Sequence, residues 1–253
     1  MSMFEIVFSP TGGTEKVSGL VTGTLDGNIV TVDLTDSGLD FHGVSMAKGD
    51  VAVISVPSYA GRVPAVAVER LGMVRGNGAR AVLVCVYGGR AFEDTLIELE
   101  DVAKRAGFRV VAAVSAIAEH SVARQFAAGR PDAQDVAQLS EFAQRIRQKL
   151  LDGAASEPSI PGNRPYKQAG GHSTVPHATE DCVSCGACAA LCPVRAIDKD
   201  DPRQVDGEAC ISCMRCVSVC SQNARKLDPN KLAAVTQMLS KVCVVRKECE
   251  LFI

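Results

Sequence analysis

The chain has 253 residues, of which 47% are hydrophobic and 4% aromatic, and its formal net charge is −2. That length holds one large hydrophobic core and a smaller appended unit. Residues 1–152 carry 15 basic and 18 acidic side chains, and residues 177–227 carry 6 and 7. The balance excludes the basic face that nucleic acid requires and weakens long-range steering of partners.

Residues 3–8 read as a short buried strand, followed by the turn Ser9-Pro10-Thr11-Gly12-Gly13-Thr14 and an amphipathic helix through Val17, Leu20, Val21 and Leu25. Further strands are predicted at 29–34, 50–56, 80–87 and 108–115. The last three are near-continuous runs of Val, Ala, Ile and Leu, as in parallel strands covered on both faces. Helices fit at 62–76, 91–107 and 132–151, the last with Pro131 just before it and Asp132 near its start. A short helical stretch is expected within 116–131. Alternation of this kind predicts an α/β doubly wound sheet over residues 1–152.

Three loops of that unit carry chemistry. The hydroxyls and glycines of Ser9, Thr11, Gly12, Gly13 and Thr14 offer a phosphate backbone N–H groups and the positive end of a helix. The second loop holds Ser58, Tyr59, Ala60 and Gly61. The third holds Tyr87, Gly88, Gly89, Arg90 and Phe92. The first loop resembles the flavodoxin phosphate loop, and its G-K-[ST]-less spacing is neither a Walker loop nor G-x-G-x-x-G. Together the loops point to FMN at the switch point of a flavodoxin-like sheet of order 2-1-3-4-5. FMN is preferred to FAD because no adenine-binding subdomain is visible. Tyr59, in a polar Pro/Gly loop, is the best stacking candidate, whereas Tyr87 and Phe92 serve equally well as packing residues. His120 after the last strand is the one weak catalytic candidate, and it equally suits satisfying a neighbouring backbone group. Cys85 reads as a small buried hydrophobe.

Residues 153–176 are rich in Pro, Gly, Ser and Ala and read as a connection between domains. Its segment Ile160–Lys167, with two prolines and a tyrosine, reads as stiff and laid along a surface. Over residues 177–227, Cys182, Cys185, Cys188 and Cys192 are repeated by Cys210, Cys213, Cys216 and Cys220, at a constant offset of 28. Each quartet reads C-x2-C-x2-C-x3-C. Three close thiolates wrap three corners of an iron–sulfur cube, and the fourth reaches the other cube. Structural zinc usually takes separated C-x2-C pairs, so it is the weaker reading. The repeat resembles a bacterial-type two-[4Fe-4S] ferredoxin, a small α+β domain. The resemblance implies Cys182, Cys185 and Cys188 with Cys220 on one cluster, and Cys210, Cys213 and Cys216 with Cys192 on the other. Ser221 stands where that family usually has proline, and Arg225 stands where Ile197 lies in the first repeat. Residues 228–253 predict a helix at 229–241 and a tail whose Phe252 and Ile253 dock back onto a domain.

The order of these parts resembles a fused family, flavodoxin-like unit then ferredoxin, labelled EFR1-type. It implies electron transfer between two [4Fe-4S] clusters and FMN. A redox protein, either a ferredoxin or an oxidoreductase, is then the partner, with a small-molecule acceptor as a further outlet. Flavin and clusters would meet within one chain or across a homodimer. The alternatives are an FMN-dependent reductase of a quinone, nitro compound, enone or flavin fed through the clusters, and a cluster-containing redox sensor without flavin. Met1-Ser2-Met3-Phe4 lacks the regions of a secretion signal, no apolar run nears the roughly 18 residues of a membrane span, and cysteines committed to clusters need a reducing compartment. A cytoplasmic location, away from membranes, is expected.

Overall fold

The computed structural model describes residues 2–25, 28–153, 156–170 and 174–253. Its first part comprises β1 (Met3–Val7), α1 (Gly13–Leu25), β2 (Ile29–Asp33), β3 (Val51–Pro57), α2 (Ala65–Met73), β4 (Arg80–Tyr87), α3 (Thr95–Arg105), β5 (Arg109–Ile117) and α4 (Ala133–Leu151). Its second part adds β6 (His177–Ala178), α5 (Ala187–Ala190), α6 (Arg215–Ser218), β7 (Arg225–Lys226), α7 (Pro229–Ser240) and β8 (Glu250–Phe252).

Five strands run parallel in the order β2-β1-β3-β4-β5, which is a flavodoxin-like sheet. The apolar runs of β3 and β4 follow from cover on both faces. On one side Val17, Val21, Leu139 and Ile146 of α1 and α4 pack against Val53, Val82 and Val84. On the other, Leu71, Leu96 and Leu99 of α2 and α3 pack against Ile6, Ile54 and Leu83. The one polar contact between α1 and β3 is satisfied internally, with the Ser55 hydroxyl donating to Ser18 Oγ at 2.9 Å. Cys85 is fully buried and its thiol pKa is pushed up by desolvation.

Two elements differ from expectation. The helix predicted at 62–76 spans only Ala65–Met73, because Pro64 cannot donate within a helix and marks its start. No helix forms at 116–131. There β5 runs on to Ile117, His120 Nδ1 accepts from the amides of Val122 and Ala123 at 3.2 and 3.1 Å, and Ala127 adopts a positive φ of 51°. A side-chain acceptor that takes those amides competes with a helical ladder.

The C-terminal tail docks as a sixth strand, β8, antiparallel to β5, so the sheet has six strands rather than five. Ser115 Oγ donates to Glu250 at 3.1 Å. Ahead of β8, Arg246 pairs with Asp132 at 2.7 Å and with Asp135 at 3.3 Å. Asp135 is fully buried at the start of α4, where Arg130 Nε donates to it at 2.7 Å.

In the second part, β6 and β7 pair antiparallel, and the sequence repeat is written into the backbone. Positive φ occurs at Ser184 and Ser212 (52° and 53°), Gly186 and Met214 (76° and 63°), and Arg195 and Asn223 (53° and 52°). Each pair is separated by the 28-residue offset. Likewise the Ala196 amide donates to Cys192 Sγ at 3.3 Å, and the Ala224 amide to Cys220 Sγ at 3.2 Å.

Arg130→Ala leaves the buried Asp135 carboxylate with only the Arg246 cation. Stability should fall by about 3 kcal/mol, read as a lower chemical-denaturation midpoint, while Arg145→Ala on the exposed face of α4 should change it little.

Candidate functional site

A cleft opens at the carboxyl ends of the strands, with about 1030 Å³ of free space, part of it open to solvent. Thr11, Gly13 and Thr14 line it from the β1–α1 turn, and Ser58, Tyr59 and Ala60 from the end of β3. Tyr87 and Gly88 after β4 and His120 after β5 complete the sheet side. The opposite wall comes from elsewhere in the chain. Gly170 and Thr174 of the connection, Val235 of α7, and Ile211 and Ser212 all face the same space. Ile211 and Ser212 lie between the quartet thiols Cys210 and Cys213.

Several other sequence-predicted residues are close by but do not line this cleft. The Ser9 hydroxyl accepts from the Glu15 amide at 2.9 Å and so holds the first turn of α1. Gly12 and Gly89 supply positive φ of 85° and 91°, which an L-residue adopts only with strain. Gly61 is a packing position, since a Cβ there would lie 1.9 Å from the Glu93 carboxylate. Arg90 is held by Glu93 at 2.7 Å and faces a separate polar cleft shared with Phe92, Lys247 and Glu248. Phe92 packs tilted against Tyr87, with ring centroids 5.6 Å apart.

Within the cleft, Ser58 Oγ and Thr95 Oγ1 are 2.7 Å apart, which ties this loop to α3. Gly88 is required for close approach, because a Cβ would meet His120 Cδ2 at 2.5 Å. With Nδ1 accepting two amides, the neutral His120 ring carries its proton on Nε2. Burial and the neighbouring Arg90 charge lower the His120 pKa. Desolvation and Cys213 raise that of Tyr59, which places the Tyr59 phenol within electrostatic reach of the second quartet.

The thiols gather in two sets. Cys182, Cys185, Cys188 and Cys220 line one small cavity together with Pro202 and Arg225. Cys192 packs with Cys210 and Cys216 around Ile197, and Cys213 feels the charges of Cys192 and Cys210. Burial pushes the thiols of Cys213 and Cys216 up to about 11 and about 12. A ligating metal would remove those thiol protons outright. Among the described residues no disulfide forms, and no three His, Cys, Asp or Glu side chains converge as a single metal ion would need.

Arginines seat the cysteine-bearing part on the sheet edge. Arg70 donates to the carbonyls of Leu34 at 2.6 Å and Pro193 at 2.5 Å, and Arg195 to that of Ser37 at 2.6 Å. Arg215 reaches the carbonyls of Ser9 and Pro10 at 3.4 and 3.3 Å. Its Nε is buried without a partner, as is Ser212 Oγ. Sequence reasoning missed Ile211, Ser212, Arg215 and Val235. Ile211, Ser212 and Arg215 carried only the signal of position beside the thiol ligands, and Val235 only a helical pattern; neither says anything about the distant loop they face.

Residues 174–238 match the family model described as a 4Fe-4S dicluster domain, so the C-terminal region is of iron–sulfur type. No curated protein matches the chain. Among solved structures, a flavodoxin of Streptococcus pneumonia TIGR4 is 19% identical, covering 58% of this chain and 99% of its own, with a TM-score of 0.41. Flavodoxin 2 of Bacillus cereus is 15% identical, covering 59% and 99%, with a TM-score of 0.44. The Flv1 flavodiiron core of Synechocystis sp. PCC6803 is 14% identical, covering 60% of this chain and 36% of its own, with a TM-score of 0.43. Among the described residues no helix is long and apolar enough to cross a membrane.

His120, half-buried with a lowered pKa, resists protonation that the unfolded chain accepts near pH 6.5. The stability it contributes is present above that pH and is lost as pH falls through 6.5 towards the lower folded value. Denaturation midpoints measured from pH 7.5 to 5 should therefore decline less in His120→Asn, which keeps an acceptor but does not titrate.

Proposed function

We propose that the chain is a flavo-iron–sulfur electron-transfer protein, with FMN in the cleft and a [4Fe-4S] cluster on each thiol set. Residues 1–152 form its flavin unit, 153–176 the connection, 177–227 the cluster unit, and 228–253 a helix and docking tail. Residues 154–155 and 171–173 of the connection lie outside the described residues.

One observation supports this reading above the others. The cleft at the strand ends is walled by Ile211 and Ser212, and these sit between two thiols of the second quartet. A flat ring held there would be in contact with the loop that wraps a cluster. The residues fit such a group, because the cleft presents a buried hydroxyl with nothing to bond, Ser212 Oγ. Buried polar groups are almost always paired, and the polar edge of a flavin would supply the missing acceptor. The cluster cavity also fits. Cys188 Sγ accepts from Arg225 at 3.5 Å, while Arg225 Nε and NH1 are buried without partners beside the same cavity.

Bound FMN supplies one- or two-electron chemistry, and each cluster supplies single electrons. The chain's own residues do the rest. Thr11, Gly13 and Thr14 at the start of α1 would take the phosphate, and Tyr59 and Tyr87 would border the ring. Arg215 clamps the cluster unit to the phosphate loop. Seating on the Ser9 and Pro10 carbonyls keeps the 210–213 segment against the cleft. A redox protein is the partner this arrangement requires.

Protein purified without oxygen should hold one FMN and about eight irons per chain, and photoreduction of the flavin should bleach the clusters faster than turnover. Ser212→Ala should weaken flavin retention about tenfold, the worth of one buried hydrogen bond, and leave the iron content unchanged. Zinc in place of iron, or no flavin, would overturn the reading.

A further inference from the structure

Position 225 breaks the repeat at a residue that lines a cluster cavity. Its counterpart in the first repeat is Ile197, an apolar residue 6% exposed that packs with Cys192, Cys210 and Cys216. Arg225 is 2% exposed in β7 and lines the cavity of Cys182, Cys185, Cys188 and Cys220. Its NH2 donates to Cys188 Sγ at 3.5 Å and to the Pro202 carbonyl. Its Nε and NH1 have no partner, and among the described residues no carboxylate lies within salt-bridge distance of it. A guanidinium taken out of water with no counter-ion costs several kcal/mol. A site that keeps one there suits an anion, and Arg225 lines the four-thiol cavity where one would sit.

We infer that Arg225 makes the two clusters unequal, raising the reduction potential of the one held by Cys182, Cys185, Cys188 and Cys220 above that of its neighbour. The inference rests on the two-cluster reading above. Reduction adds one negative charge to a cluster, and a fixed cation with free N–H donors stabilises that added charge. Exposure acts in the same direction. On the Arg225 side Cys185 is exposed and Cys188 alone is buried, whereas Cys192 and Cys213 are both buried on the other, and water favours the more charged state. The Arg225 charge also acts on Cys210 and Cys216, but its hydrogen bond goes to Cys188. The first electron delivered therefore resides on the cluster remote from the cleft. The second quartet, whose loop carries Ile211 and Ser212, serves as the low-potential relay to that cleft.

The test is a mediated dithionite titration of the full-length, anaerobically purified protein, followed by electron paramagnetic resonance, with one electron taken up per cluster. The native protein should reduce in two separated steps. Arg225→Ile, which restores the symmetry of the repeat, should move the first step by at least tenfold in the reduced-to-oxidised ratio at fixed potential, 59 mV for one electron. Arg225→Lys keeps the charge and should keep most of the separation. Arg225→Gln keeps donors without charge and should behave like Arg225→Ile, giving the same reading should the isoleucine chain fold poorly. Native-like titrations in both uncharged variants at full iron content would overturn the proposal alone. A native protein without about eight irons would instead overturn the two-cluster reading.

Discussion

The relation between the two parts of this molecule depends on one buried carboxylate. Asp94, 1% exposed at the start of α3, accepts from the Asn163 amide at 2.8 Å, the Asn163 side chain at 3.0 Å and the Lys167 amide at 2.7 Å. Those bonds hold its pKa below the ordinary carboxylate value, the Lys167 amide most of all. Around it, Arg164 and Tyr166 both bond Asp101, and Arg62 stacks over the Tyr166 ring at 4.9 Å. Gly162 lets the backbone lie against Ile97, where a Cβ would stand 2.4 Å from a side-chain methyl. The connection is thus pinned along α3 rather than tethered loosely, and the chain leaves it already aimed at the cleft.

The same network reaches the cleft from the sheet side. Arg62 pairs with Glu98 through two contacts of 2.7 Å and donates to the Lys167 carbonyl, while Glu98 also accepts the Val63 amide at 2.8 Å. Side-chain hydrogen bonding to Glu98 raises the Arg62 pKa and keeps the guanidinium charged. The loop that carries Ser58, Tyr59 and Ala60 is therefore braced by the segment that delivers the cluster unit. Order in one supports order in the other, as expected when polar groups share a largely dry network.

What could be read from the sequence was whatever the chain repeats or alternates. Continuous apolar runs in β3 and β4 gave strands and their parallel cover, and two identical cysteine spacings gave a repeat that the backbone keeps. The glycine and threonine turn located one wall of the cleft. The opposite wall was not readable, because Ile211, Ser212 and Val235 become neighbours of Tyr59 only through long-range docking by Arg70, Arg195 and Arg215. No local pattern encodes that docking. For the same reason β8 passed as a tail, since three residues show no periodicity until the edge of β5 supplies their partners. At 90–92 composition did not show the local partners: Glu93 holds Arg90, and Tyr87 packs on Phe92.

The cluster unit separates what symmetry preserves from what it leaves free. Its backbone keeps the repeat closely, in three pairs of positive-φ residues and two matched N–H to sulfur bonds, because the geometry of wrapping a cube permits little else. Side chains around the thiols are under less constraint. Among their divergences, Ile211 stands where Val183 does and lines the cleft, Arg215 grips the phosphate loop where Ala187 has nothing to grip with, and Arg225 replaces Ile197. Each divergence turns one of two equivalent halves towards a distinct task. A symmetric pair of clusters would give electrons no preferred order. Asymmetry placed at the docking face and at Arg225 gives one end contact with the cleft and the other a fixed positive charge.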